Sequence, residues 1–336
     1  MQNKLKNILE KIAVPNEHRF DAITGVLNEL GIKYNVQEES HEYEVPIYQK
    51  SKLRFHFLPP KREITVGEDI TINREATDDS MEFLSLLRDS ELMSMLPECG
   101  EMSSDEYEPI VTDNFAKHDR MSYAPRIIGY RKERFQVRNI VIPLHEGEKK
   151  LVFMAHYDAV PGSTGANDNG SAVAILIAFA QEVIGKATCM PMEIVFTDRE
   201  ETGAYGSRLY SKKHGNQILE VINLDTCGVG NDIITCDWST HPSDITWRLI
   251  YGEPLNTLRP IITRSLPYCD ADVMYNQGFP VIGICTLPVA DARSIMSPHP
   301  SYKETYRYMH NGEFDDISYI NYHVMEKIFR YLMLLV

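Results

Sequence analysis

The sequence predicts an α/β fold: a mixed, mainly parallel central sheet flanked by helices, with an N-terminal helical pair and an inserted lid segment. Three observations predict it. From about residue 126, apolar runs of strand length alternate with helical stretches, the pattern of a sheet covered on both faces. Residues 3–31 carry apolar positions at helical spacing. Between these regions, residues 40–125 change texture and become rich in Glu, Asp and Ser.

Each element follows from local pattern. Two amphipathic helices fill 3–31 and break near Val14-Pro15-Asn16; the second runs from about His18 to Leu30 and stops at Gly31. IKYNVQ then reads as a short strand. Residues 1–39 are therefore the first helices and strand of the main domain, which resumes at 126 and runs to 336. Within 40–125 only short strands and one helix near Met81–Leu92 are expected, as an insertion or lid. RNIVIPL and KKLVFMAHYD are strands. SAVAILIAFAQEVI is apolar nearly all round, hence a buried helix. Strand MEIVFTD, helix AYGSRLYSKK and strands LEVINLD and DIITCDW follow. Next come helix SDITWRLI, strand RPIITR, helix ADVMYNQG and strand PVIGICTL. A final helix runs from about Asp315 to the end.

The chain has 336 residues and a formal net charge of −14. An acidic balance argues against a nucleic-acid partner, because phosphate binding needs a basic face. It suits a soluble enzyme and favours a cationic group on the substrate; a homo-oligomer is possible. The first twenty residues lack an uninterrupted apolar core and a cleavage site, so no secretory signal is read. No apolar run is long enough to span a bilayer, so no membrane partner is expected. The six cysteines (Cys99, Cys189, Cys227, Cys236, Cys269 and Cys285) form no CxxC pair. Reduced thiols in the cytoplasm are the expectation, with Cys227, Cys236 and Cys285 as small buried hydrophobes.

In open α/β sheets the ligand site lies at the carboxyl ends of the strands. There KKLVFMA ends in His156-Tyr157-Asp158. MEIVFTD runs into Arg199-Glu200-Glu201, and LEVINL ends at Asp225. The loop PGSTGANDNG brings Asp168 to the entrance of the next helix, and His310 lies on a late loop before the last one. Taken singly, each has a plain structural reading: a satisfied strand-end His, an Asp-Asn-Gly turn, a solvated Glu-Glu pair. Their ordered arrival at successive strand ends is the signal.

His nitrogen and carboxylate oxygen are the donors of catalytic zinc sites. His156 and Asp158 are two apart and face one side of a strand, so Asp158 can hold the His156 ring. Asp168 can bridge two divalent ions, with Glu201 and Asp225 capping one each and His156 and His310 completing them. Zinc is expected, with cobalt or manganese as alternatives. Glu200, left free beside a metal-bridging hydroxide, is the natural general base and acid.

The segments AHYDAVPGSTGANDNGSAVA, FTDREETGAYGSRLY, INLDTCG and MHNGEFDD resemble the co-catalytic zinc aminopeptidase family, which includes aminopeptidase Y, glutamate carboxypeptidase and glutaminyl cyclases. The resemblance covers about 126–336 and, more weakly, the N-terminal helices. It implies a zinc exopeptidase-like fold with a sheet of about eight strands. It implies His156, Asp168, Glu201, Asp225 and His310 as ligands, Glu200 as base, and Asp158 as the carboxylate behind the first histidine. The compact spacing, twelve positions from His156 to Asp168 and 24 from Glu201 to Asp225, separates it from aminoacylase-like enzymes.

Three departures follow. Asn169 stands where many members have a second aspartate. Cys269-Asp270-Ala271 replaces Ser-Asp-His, keeping Asp270 as a substrate contact. Phe314 stands where an aspartate usually follows the last histidine, with Asp315 and Asp316 next, and His299 is a rival last ligand. Tyr306 and Tyr308 are the other expected substrate contacts. An aminopeptidase acting on a small peptide substrate is the leading expectation. Alternatives are a single-zinc glutaminyl-cyclase-like transferase, a dipeptidase or carboxypeptidase on the same scaffold, or a non-catalytic binding protein, against which the full ligand set argues.

Overall fold

The computed structural model describes residues 1–49, 54–58, 61–66, 70–75, 101–102, 127–186, 190–237, 245, 258, 260–263, 266–267, 269–295, 302–310 and 312–336. It divides into two compact units: Met1–Glu39 with Gln136–Val336, and Ser40–Phe135. Helix α1 (Gln2–Ile12) buries Leu5, Ile8, Leu9 and Ile12, one stripe at helical spacing. The break at Pro15 then starts α2 (Asn16–Glu29). Gly31 at φ +67° ends it, a left-handed position that suits glycine.

Strand β1 (Asn35–Gln49) is longer than the short strand expected, and β6 (Ile127–His145) likewise begins well before RNIVIPL. Between them lie β2 (Arg54–Leu58), β3 (Lys61–Val66) and β4 (Ile70–Glu75), an antiparallel three-stranded sheet with Phe55 opposite Ile64 and Ile64 opposite Ile72. A two-residue strand β5 (Glu101–Met102) pairs with the end of β1. The expected helix near Met81–Leu92 and the cysteines Cys99 and Cys189 fall outside the described residues.

The larger unit carries the mixed, mainly parallel sheet. Its strands are β6, β7 (Lys150–His156), β8 (Met192–Thr197), β9 (Ile218–Leu224), β10 (Ile234–Asp237), β11 (Ile261–Thr263) and β12 (Val281–Cys285). They lie in the order β11-β10-β12-β9-β7-β8-β6-β1. β7 is parallel to both β8 and β9, and β9 to β12; β6 and β10 run antiparallel to β8 and β12.

Side-chain alternation splits the core. Leu151, Phe153 and Ala155 of β7 enter one apolar cluster, and Val152 and Met154 enter the other. The first face is covered by α1, α2, the largely apolar α3 (Ser171–Val183) and α7 (Tyr322–Leu332). The second is covered by α4 (Tyr205–His214) and α5 (Asp270–Asn276), through Tyr210, Ala271 and Met274. A short helix α6 (Val289–Ser294), not expected from the sequence, follows β12. The expected helix SDITWRLI lies outside the described residues apart from Ile245.

The final helix differs from expectation. It begins at Tyr322, not Asp315, because the Asn321 side chain accepts from the His323 amide and caps it there. Ahead of it, Asp316 caps a single 3-10 turn (Ile317–Tyr319). Asp315 is engaged elsewhere, as described below. The four described cysteines, Cys227, Cys236, Cys269 and Cys285, are free and buried.

Candidate metal centre

The parallel strands β7, β8 and β9 end side by side, which brings distant stretches of sequence to one edge. His156 closes β7 opposite Thr197 of β8. Asp225 follows β9 and donates its amide to the Ile284 carbonyl of β12 at 3.0 Å. The loop after β7 returns Asp168 to the same place at the entrance of α3, where the Asp168–Asn169 peptide is cis.

Two clusters of donors form there: His156, Asp168 and Asp225, and Asp168, Glu201 and His310, each within 4.8 Å. Asp168 belongs to both. Its Oδ1 lies 3.1 Å from His156 Nε2, and its Oδ2 lies 3.8 Å from His310 Nε2. His156 Nε2 is also 3.5 Å from Asp225 Oδ1, and His310 Nε2 is 3.4 Å from Glu201 Oε2. The other ring nitrogen of His156, Nδ1, faces Asp158 at 3.4 Å. Glu200 belongs to neither cluster. His299 lies outside the described residues.

The turn carrying the two glutamates is fixed by Asp158, whose carboxylate accepts the amides of Glu200 and Glu201 at 2.9 and 3.2 Å. Arg199, Thr226 and His310 all have positive φ (57°, 50° and 53°). Non-glycine residues hold that conformation only where surroundings impose it, and such strain gathers at functional sites. Here it flanks or falls on the cluster residues.

Electrostatics give the cluster its character. Burial raises Glu200 to about 10, with Asp270, Asp225 and Asp158 adding to it and His156 opposing. Burial likewise raises Glu201 to about 9, helped by Asp168. Burial disfavours charge on His156, yet Asp225, Asp158 and Asp168 hold its pKa well above the usual histidine value. Glu201 Oε1 and Asp225 Oδ1 are buried with no hydrogen-bond partner. Buried carboxylate oxygens without partners are costly, and a divalent cation satisfies them. Donor types and orphaned oxygens therefore fit a metal.

The sequence underread what holds the loops together. Asp315 accepts the amides of Asn167 and Asp168 at 2.7 and 3.2 Å and the Ser163 hydroxyl at 2.7 Å. It thus binds the return loop to the Asp168 loop, which is why it cannot start the last helix. Asn167 donates to the Tyr308 carbonyl at 2.8 Å and accepts from Gly228, also at 2.8 Å. Asn169 donates to the Leu224 carbonyl and accepts from the Thr226 amide, bracketing Asp225. Asn on either side of an Asp was the available signal, but it reads equally as turn chemistry.

The expected substrate contacts are less gathered. Asp270 is buried and accepts from Thr197, with its second oxygen unpartnered. The Tyr308 ring packs on Phe314 at 5.1 Å. Tyr306 is exposed on the loop before His310.

Fold and donor clusters together fit a metal site at the carboxyl ends of the parallel strands. The sequence pattern of Peptidase family M28 matches residues 139–336, more than half the chain. The chain belongs to Peptidase family M28. Among solved structures, it is similar to the zinc aminopeptidase BSAP of Bacillus subtilis (TM-score 0.62, 12% identity, 99% of this chain and 94% of that one). It is also similar to the aminopeptidase of Aneurinibacillus sp. strain AM-1 (TM-score 0.60, 13% identity, 100% and 93%). A third is the glutaminyl cyclase of Porphyromonas gingivalis (TM-score 0.56, 16% identity, 100% and 97%). At these identities the likeness is one of fold.

A vacuolar membrane protease of Meyerozyma guilliermondii is 30% identical over 118 residues, 33% of this chain and 12% of that protein. The chain thus spans about an eighth of that relative's length. The relatives' naming for the vacuolar membrane overturns the cytoplasmic expectation. The physical reason is that the four described thiols are free and buried, a state that carries no information on compartment. Among the described residues no helix is long and apolar enough to cross a membrane.

Proposed function

We propose that this metallopeptidase is an exopeptidase of aminopeptidase type that removes the N-terminal residue of small peptides. The observation that carries the reading is the pair of donor clusters sharing Asp168, with Glu200 in neither but close enough to His156 and Asp225 to feel their charges. His156, Asp168 and Asp225 would hold one divalent ion, and Asp168, Glu201 and His310 a second. Zinc suits these nitrogen and oxygen donors, with cobalt or manganese as substitutes. Bound there, such ions supply Lewis-acid polarisation of the scissile carbonyl and a nucleophile at neutral pH.

The chain's own residues do the rest. Asp158 holds the His156 ring from behind and sets the Glu200-Glu201 turn. Glu200 accepts the proton of the attacking water and returns it to the leaving amine. Beside bound cations Glu200 holds a proton less tightly than burial alone dictates, which moves it toward the neutral range where acceptance and return are balanced. The unpartnered oxygen of Asp270 is assigned to the substrate's free amine, and Tyr306 and Tyr308 to the wall around its side chain.

The test is a zinc-reconstituted assay with aminoacyl and dipeptide substrates, each free and N-acetylated. Cleavage of the free-amine substrates, lost in chelator, is expected. Cleavage of the acetylated forms at equal rate would exclude an aminopeptidase. Ammonia release from an N-terminal Gln peptide, without hydrolysis, would replace it with a cyclase.

A further inference from the structure

Arg19 is a cation buried completely inside the protein. Desolvation disfavours its charge, and the groups that favour it are Asp158, Asp315, Asp168 and Glu201, all in or against the centre. Its hydrogen bonds go to backbone, not to those carboxylates. Nε donates to the Tyr157 carbonyl, and Nη1 to the carbonyls of Thr164 and Gly165 at 2.7 and 3.0 Å. One turn earlier on α2, Asn16 accepts the Ala159 amide at 3.1 Å. Two side chains on one face of α2 therefore grip both ends of the loop from β7 to α3.

Those ends matter. Tyr157 lies between His156 and Asp158, so fixing its carbonyl fixes the peptide between them. Gly165, at φ +53°, leads into Asp168, and its carbonyl also accepts the Gly170 amide at 2.9 Å. A Cβ at Gly165 would stand 2.3 Å from Arg19 Nη1, so the guanidinium occupies the space a side chain would need. A planar fork spans carbonyls at two ends of a loop, which a point-charge ammonium does not.

We propose that Arg19 is a positioning residue of the metal centre. It clamps the loop so that His156 and Asp168 stand ready for one ion before it arrives, and it places a fixed positive charge beneath the carboxylates. The assignment rests on the metal reading above. Outer partners that orient ligands are worth about 10- to 100-fold in metal affinity.

The test measures zinc affinity of wild type, Arg19→Lys and Arg19→Met by competition with a chromophoric chelator. Circular dichroism and melting of the metal-free forms report folding. Folded variants whose zinc affinity drops about tenfold or more are expected, with Arg19→Lys failing to restore it because charge survives and the fork does not. A folded variant that binds zinc as wild type does would overturn the proposal, since a merely structural Arg19 changes stability alone. Arg19→Met that does not fold leaves the decision to Arg19→Lys. If neither folds, Arg19 is a core residue and the positioning role is lost. Wild type that binds no zinc would remove the metal reading itself, and this proposal with it.

Discussion

The two donor clusters share Asp168 but differ in setting. His156 and Asp168 are almost wholly inaccessible, at 2% and 3% side-chain exposure, whereas His310 is 47% exposed. The first cluster hangs from the ends of two sheet strands and is backed by Asp158. The second borrows its histidine from a loop tied down by Asp315 and Asn167. Rigid sheet edges preset a site, and a loop adapts one. On the proposed two-ion reading, the first position should therefore bind the more tightly and the second should be the one that exchanges its ion.

The sharpest way to break this comparison is to remove what the clusters share. Asp168→Ala should lose both ions and all measurable peptidase activity, seen by metal analysis of the purified variant. Retention of either ion would show that the clusters are independent. His310→Ala should be milder in metal content, keeping the buried ion and losing the other. If His156→Ala instead keeps more metal than His310→Ala, the assignment of tight and exchangeable positions is reversed. Asp315→Asn should weaken the second position by about 10- to 100-fold, as loss of a loop-orienting partner does, with titrated zinc as the readout.

Charge gives a further contrast, between loaded and empty protein. Glu200 near 10 and Glu201 near 9 bind protons in the folded metal-free chain that the unfolded chain has released. His156, with its raised pKa, acts in the same sense. Raised folded values mean stability present at low pH and lost as pH rises, from about 4.5 for the glutamates and about 6.5 for the histidine. Asp168, lowered by His156 and His310 against burial, has the opposite sign, but its loss falls below about pH 4. Metal-free protein should thus melt roughly 5 °C or more lower at about pH 8.5 than at about pH 5.5. The zinc-loaded form should not follow, and parallel curves would contradict the buried-carboxylate picture. Smallest of all, Tyr306→Ala should change KM for different side chains by less than about tenfold and leave metal content unchanged.

The same contrast explains what the sequence made legible. His156, Asp158, Glu200, Glu201 and Asp225 follow apolar strands, so strand periodicity alone puts them at one edge. The helix break at Pro15, the stop at Gly31 and the largely apolar α3 were equally local. The loop residues were not. Asp315 read as the start of a helix because its partners, Ser163, Asn167 and Asp168, are about 150 positions away. Arg19 carries no local signal, since nothing near it in sequence says that its fork meets backbone carbonyls. Long-range polar contacts leave no periodicity to read.

The central claim is a two-ion centre with Glu200 as the proton carrier. It is tested most directly by counting metal in zinc-reconstituted wild type and Glu200→Gln while following peptide cleavage. Expected are about two ions per chain in both proteins, with cleavage in the variant down by about 100-fold or more. Undiminished cleavage in Glu200→Gln, or a single ion in fully active wild type, would contradict it.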